Sequence, residues 1–530
     1  MSLSKKSILG FFVFIVSAAA LIAQGGTDKG ASVSSNFNEK GYPIVKEPLT
    51  LTFATGQNIL KFNDLEFFKE QEAATNVKIN WIFVSAADWQ QKKSLMFASA
   101  ELPDAFYGGY SLTDQEVLKY GPDGALVPLN SLIDKYADNF KAVMAKRPQY
   151  KGIITAPDGK IYALPQINER AVTTNTSLAI NKTWLDKIGK PIPTTTEEFY
   201  NVLKAFKAAG DINGNGKADE WPFSFGDYKL NSMFGSFGLW DAPGHMLVKG
   251  KDVVYTAMRT EYKDALVFFN RLAAEKLVHP ESFVLDGATH RALLTSKPTV
   301  FGGLNAWLLE ARFGNNERGD FTYMKPLKGP TGAQMWKKDD WGIHGKAAFA
   351  ITSKNKYPEV TMRWIDRIIE PKKSFESFWG TLGHNYEKNA DGTWKELMAP
   401  AGMPFGDWIY LVSPYSAGYQ IILSDAYKTF ALPSADKLKY EINREYYDES
   451  LKDDYQNYPK LYFTVQESDE LAKLSTDINT YVEEMYARWL MIGGIQNEWD
   501  GYLSKLKAMG IDRYIKIYQD AYTRYLSSAK

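Results

Sequence analysis

The sequence predicts an α/β protein of two lobes, finished by a helical C-terminal region. Three observations carry this reading. Strand-like and helix-like segments alternate from residue 49 to about residue 107, a second such series begins near Thr173, and the final third runs on helical apolar spacing alone. The chain has 530 residues, enough for three to four domain-sized units or for two large lobes. Hydrophobic residues are 45% and charged residues 23%, which excludes disorder and collagen-like repetition as global descriptions.

The first series opens at Leu49-Thr-Leu-Thr-Phe-Ala54, where β-branched and aromatic residues alternate as in a strand. Leu60–Thr75 has helical spacing, Val77–Val84 reads as a second strand, Trp89–Ala100 as a helix, and Leu102-Pro-Asp-Ala-Phe-Tyr107 follows it. This order argues a largely parallel sheet. In the second series Thr176–Asn181 is a strand and Lys182–Ile188 a short helix. Pro193-Thr-Thr-Thr-Glu-Glu198 is a capping box into a helix whose Phe199, Val202, Leu203 and Phe206 share one face. Near the end, Leu471, Leu474, Ile478, Tyr481, Val482, Met485 and Trp489 form one stripe, with further helices around Trp499–Met509 and Tyr514–Tyr525.

The first residues read as an export signal. Lys5 and Lys6 precede an uncharged apolar stretch from Ile8 to Ala23, with small residues near its end. Sixteen residues are short for a span, which needs about 20. Leu21-Ile22-Ala23 resembles the run before a lipid-bearing Cys, but Gln24 follows and the chain has no Cys. No lipid anchor is expected, and neither are disulfides, thiolate chemistry or Cys-held metals. Gly25–Glu39 is polar and Gly/Ser-rich, a flexible tether. Lys+Arg and Asp+Glu are both 62, so no net field draws the chain to nucleic acid or to an anionic membrane. The 14 Trp, 31 Tyr and 30 Phe mostly fill cores, but such rings also suit a cleft for sugars.

One motif is sharp. Asp211-Ile-Asn213-Gly-Asn215-Gly216-Lys217-Ala-Asp219-Glu220 places oxygens at alternate positions with Gly at the turn, the pattern of an EF-hand-type calcium loop. Asp211, Asn213, Asn215 and Asp219 fill the first, third, fifth and ninth positions, and Lys217 offers its carbonyl at the seventh. The twelfth is Pro222, so the usual bidentate Glu is missing and Glu220 is its substitute. Asn-Gly pairs also make turns without metal. A calcium ion held here is expected to be structural, because a closed oxygen cage leaves no open position for substrate. The five His are scattered, and no G-x-S-x-G, Walker A or dinucleotide G-x-G-x-x-G occurs.

Lys93-Ser-Leu-Met-Phe-Ala-Ser-Ala-Glu-Leu-Pro-Asp104, the loop Asp211–Glu220 and Glu261-Tyr-Lys-Asp-Ala-Leu266 together resemble a known family. Thr381–Glu387 with Asp391-Gly-Thr-Trp394, and Trp499-Asp-Gly-Tyr502 through Ala521–Tyr525, extend the likeness. It is to the large extracellular solute-binding proteins of bacterial ABC importers, the carbohydrate-binding family 1 type that includes alginate-oligosaccharide-binding proteins and lipoprotein members. The resemblance implies a periplasmic-binding-protein-like (type II) clamp with hinge crossings, near Leu164–Thr173, Lys325–Trp341 and Glu387–Pro404. Its expected layout is a signal at 1–23, a tether at 24–46, lobe one at 47–168 plus 335–390, and lobe two at 169–334 plus 391–530. It also implies an oligosaccharide ligand, a permease and an ATPase on other chains, a calcium ion, a monomer, and a periplasmic or extracellular location.

For the cleft, Trp307, at the end of Phe301-Gly-Gly-Leu-Asn-Ala-Trp, resembles the ring that stacks on sugar from lobe two. Tyr107 resembles an aromatic at the lip of lobe one, and Tyr228 and Trp408 are further candidates. A binder without catalytic residues is the leading expectation. Acidic pairs are too numerous to exclude an exported glycosidase or lyase with structural calcium, and a surface sensor using the same clamp is a third possibility.

Overall fold

Leu49–Gly56 (β1) and Val77–Val84 (β2) run parallel along their whole length, Leu49 opposite Val77 and Gly56 opposite Val84. The helix Glu66–Thr75 joins them, buries Phe67 and Phe68, and ends on Asn76 in the left-handed conformation. The structure is a computed structural model that describes residues 35–528, except 57–61, 110, 171, 226–229, 281, 283–286, 314–317, 340–341, 391, 393, 398–399, 401–402, 404, 431–433 and 453. The expected signal and the first part of the tether lie outside the described residues. From residue 35 the expected tether is ordered. Ile44 and Val45 are buried, and the Ile44 N–H donates to the Thr75 carbonyl at 3.0 Å, so apolar burial outweighs the polar composition of this segment.

The remaining strands are Ala105–Tyr107 (β3), Leu164–Asn168 (β4), Ser177–Asn181 (β5), Met246–Lys249 (β6), Asp252–Tyr255 (β7), Gly303–Ala306 (β8), Phe321–Met324 (β9), Ile343–Ile351 (β10), Tyr386–Lys388 (β11), Trp394–Glu396 (β12), Ile421–Ile422 (β13) and Gln456–Asn457 (β14). The large sheet has the order β13-β4-β10-β3-β1-β2. Its members are parallel except β10, which returns from the other lobe and lies antiparallel to both β3 and β4. The sheet is therefore mixed. β10 bulges against β4 around Gly345, and a Cβ at Gly345 would stand 2.1 Å from the Gly109 carbonyl oxygen, so only Gly lets strand and loop meet there.

The second lobe is built on a small sheet, β8-β5-β9, antiparallel throughout. The helix Thr196–Ala208 packs on it with the expected capping box, Thr195 and Glu198 each accepting from the other's backbone N–H. Its Phe199, Val202, Leu203 and Phe206 enter the core of that lobe. The helices Val465–Met491 and Ile495–Ala508 pack on the helix Thr260–Ala274 of the same lobe. The last helix, Ile511–Ser528, touches both cores: Ile511 and Tyr514 join the small-sheet core, Ala521 and Tyr522 the large-sheet core.

Two boundaries differ from expectation. β13 pairs with β4, so the large sheet draws on the chain as far as residue 422 and not only to 390. The third crossing accordingly falls between β13 and the helix Ser434–Tyr446, not near Glu387–Pro404. A two-residue strand carries too little periodicity to be read from sequence.

Candidate functional site

The chain passes between lobes after Asn168 (β4 to β5), after Met324 (β9 to β10) and after Ile422 (β13 to the helix Ser434–Tyr446). Side chains tie these crossings together. Arg170 on the first pairs with Asp436 at the start of that helix, Nε to Oδ2 at 2.8 Å with a second bond from Nη2, and the guanidinium sits 5.8 Å from the Trp379 ring centre. Asp339 on the second crossing accepts the Asn175 N–H and donates its own N–H to the Thr173 carbonyl at 3.0 Å. Asn443 Nδ2 donates to the Thr174 carbonyl at 3.2 Å, and Lys439 donates to Ser177 Oγ. Burial pushes the Lys439 ammonium down to about 7, against the pull of Asp339 and Glu310. Burial alone would raise Glu169, but hydrogen bonds from Arg147, the Ser424 N–H and Tyr150 hold its carboxyl below the usual range.

Ala306, the last residue of β8, lies opposite Ser177, the first residue of β5 after the first crossing. Trp307 therefore stands at the edge of the small sheet that faces the crossings, partly exposed against the core behind it. Trp408 lies in the helix Phe405–Val412 and is 8% exposed. Tyr107 is not at a lip. Its ring is 0% exposed among Phe62, Phe68, Trp81, Phe349 and Trp364, and its hydroxyl oxygen accepts the Tyr419 N–H at 3.0 Å. β3 is buried on both faces, Phe106 in one core and Tyr107 in another, so neither direction from this strand leads to solvent. Tyr228 lies outside the described residues.

A separate crevice of about 690 Å³ also spans the lobes, between Asp114 and Lys346 of the large-sheet side, Pro243 of the other lobe, and Tyr458 and Tyr518. Tyr107, Trp307 and Trp408 do not line it. Lys346 is buried there, bonded to Asp114 at 2.6 Å and to the Leu461 carbonyl at 2.7 Å, over the Tyr462 ring at 4.0 Å. Burial lowers its ammonium, although Asp114 opposes the shift.

The loop 211–220 closes on itself. Asp211 accepts the N–H groups of Asn215 and Gly216 on its two oxygens, each at 2.9 Å. Asn213 Oδ1 accepts the Asn215 N–H at 2.9 Å, and Asn215 Oδ1 the Lys217 N–H at 2.8 Å. Asp219 accepts from Asn215 Nδ2 at 3.1 Å, and Glu220 folds back to accept the Asn213 N–H at 2.9 Å. Gly214 and Gly216 take φ of 79° and 80°, which a side chain would resist. Asp211, Asn213, Asn215, Asp219 and Glu220 offer side-chain oxygens and Lys217 a carbonyl, hard donors of the kind calcium takes. Ile212 in the small-lobe core, with its carbonyl held by Lys187 Nζ at 2.7 Å, and Trp221 beside Phe301 fix the loop to its lobe.

The crossing ion pairs escaped the sequence reading. Arg170 and Asp436 are 266 positions apart, and no local pattern marks either residue. Comparison with known proteins decides the family: the family model "Bacterial extracellular solute-binding protein" matches residues 63–373.

The chain belongs to that family.

This extracellular solute-binding protein is 31% identical to the fructooligosaccharide ABC transporter substrate-binding protein FusA of Streptococcus pneumoniae serotype 4, over 98% of each chain. FusA has been solved in complex with kestose; the superposition has a TM-score of 0.76 and covers 90% of this chain and 99% of that one. A FusA EF-hand mutant in complex with fructo-nystose superposes equally well, with a TM-score of 0.76. A human-milk-oligosaccharide (HMO) binding solute-binding protein of Bifidobacterium longum infantis shares the fold at 23% identity, with a TM-score of 0.78 over 91% of this chain and 99% of that one. These relatives are binding proteins, so the solute-binding protein is a binder and not an enzyme.

Proposed function

We propose that this chain is the substrate-binding component of an ABC importer and captures a neutral oligosaccharide of the fructooligosaccharide kind between its lobes. The match to FusA carries the reading: 31% identity along 98% of both chains leaves no lobe or crossing unaccounted for. Trp307, on the edge of the small sheet that faces the crossings, is the ring we assign to stacking on the sugar, with Tyr228 and Trp408 as further contacts. Capture then favours the closed state, because the ligand meets both lobes only when they approach. The loop 211–220 holds calcium as a structural clip, a reading supported by its alternating oxygen-bearing residues and by the EF-hand of FusA. Met1–Ala23 exports the protein, and a membrane permease receives the sugar from it.

The test is calorimetry and thermal shift of the calcium-loaded protein against kestose, nystose, neutral glucans and a galacturonate oligomer. Saturable binding of kestose or nystose is expected. At a hundredfold excess over Kd, linkage contributes about 2.7 kcal/mol, a rise of about 2 °C for a chain this long. No heat with any fructooligosaccharide would refute the assignment of the sugar.

A further inference from the structure

The crevice of about 690 Å³ draws its walls from both lobes and from a crossing. Asp114 follows β3 and Lys346 lies on β10, Lys337 and Asp339 belong to the second crossing, and Pro243 to the small-sheet lobe. Sites for small molecules occupy about 300–1,000 Å³, so the space is of ligand size. Its polar lining centres on two ion pairs. Lys346 Nζ meets Asp114 Oδ2 at 2.6 Å, and Lys337 Nζ meets Asp339 Oδ1 at 3.1 Å. These pairs are open to the crevice, the Asp114 side chain being 46% exposed and that of Lys337 19%. Lys460, also in the lining, is clipped to the Ile343 and His344 carbonyls at 2.8 and 3.0 Å. Three partly exposed rings complete the wall: Tyr458 and Phe463 each pack edge-on against Tyr518, with ring centres 5.0 and 5.1 Å apart. The Tyr458 hydroxyl donates to the Tyr518 carbonyl at 2.8 Å, which fixes its ring in place. Asp339 also ties the crevice to the first crossing. It accepts the Asn175 N–H, and Ser177, two residues on, lies opposite Ala306, which Trp307 follows.

We propose that this crevice is a subsite for one end of the oligosaccharide, whose hydroxyls bond the Lys346–Asp114 and Lys337–Asp339 pairs while a sugar face lies against Tyr458. The inference rests on the reading of the chain as an oligosaccharide binder, and it adds a second anchor to the one assigned to Trp307. A sugar hydroxyl both donates and accepts, so one hydroxyl bridges a carboxylate and its ammonium partner and leaves neither charge alone. Paired charges thus offer strong donors and acceptors to a neutral ligand. The ring supplies the apolar surface that the C–H face of a sugar needs. Because the walls come from both lobes, a sugar seated here touches both at once and favours their closed arrangement.

The experiment is calorimetry of the full-length mature protein with kestose as probe, for wild type, Asp114→Asn and Pro243→Trp, beside ligand-free melts. Asp114→Asn keeps the shape of the side chain and removes its charge. Pro243→Trp leaves both ion pairs intact and fills the crevice from an exposed position on its wall. A tenfold or greater loss of kestose affinity is expected in each variant, with the melting temperature of Pro243→Trp within about 2 °C of wild type. If Asp114→Asn, which strips Lys346 of its partner, fails to fold, Pro243→Trp carries the test. Wild-type affinity in either folded variant would overturn the subsite while leaving the oligosaccharide reading and Trp307 in place. Wild-type protein that binds no oligosaccharide would overturn both.

Discussion

At the scale of single residues, the same side-chain chemistry has opposite fates depending on which way the backbone turns it. Tyr107 ends one short strand and Trp307 follows another, yet one ring is sealed in a core and the other stands at an edge facing the crossings. Replacing Trp307 by Ala is expected to weaken sugar binding at least tenfold while the ligand-free melting temperature stays near wild type; calorimetry beside a thermal melt measures both. An unchanged Kd would remove Trp307 from the site. Lys439 makes a different prediction. Its ammonium titrates near 7 when folded and near 10.5 when unfolded, so the unfolded chain binds more protons between those values. Stability contributed at this position is present at high pH and lost as pH falls through about 7. Relative to wild type, Lys439→Met should therefore be most favoured at or below pH 7, and that advantage should shrink toward pH 10. Parallel melts of the two proteins across that range would show it, and a constant difference would not fit.

At the scale of elements, the loop 211–220 is a turn that already bonds its own backbone N–H groups to the oxygens a cation would use. Chelation should therefore lower the melting temperature by several degrees without altering the stacking chemistry at Trp307, and Asp211→Ala should reproduce the loss with calcium present. A melt unchanged by chelator would reject the metal. The loop, the capped helix Thr196–Ala208, β1, β2 and the C-terminal helices were all legible in the sequence, because local spacing and turn chemistry specify them. β13 was not, and with it went the position of the third crossing: two residues long, it exists only because β4 offers an edge far away in sequence. The bonds of Arg170 with Asp436 and of Lys439 with Ser177 were equally hidden, since partners more than 260 positions apart leave no periodic trace. The segment before Leu49 misled in the other direction, because a polar, Gly-rich run ends in Ile44 and Val45, whose burial ties it down.

At the scale of the whole molecule, two lobes share several passages of chain, and those passages are clipped to one another by charged and amide side chains. Such clips hold the crossings side by side, so lobe movement has to bend the segments around them. Arg170→Gln should leave each lobe folded but loosen this bundle. The expected result is a faster off-rate for bound sugar in stopped-flow fluorescence, with a smaller change in melting temperature than Asp211→Ala produces. An off-rate equal to wild type would assign the pair to stability alone.

The threading of the large sheet also governs when the protein can exist at all. β10, the strand between β3 and β4, is made only after the whole small sheet, and β13 comes some 70 residues later still. A nascent chain released at residue 168 owns three parallel strands and β4 with nothing to join them. Pairings so distant in sequence form slowly. The large sheet is thus completed only once the chain has been made as far as residue 422, late in its synthesis.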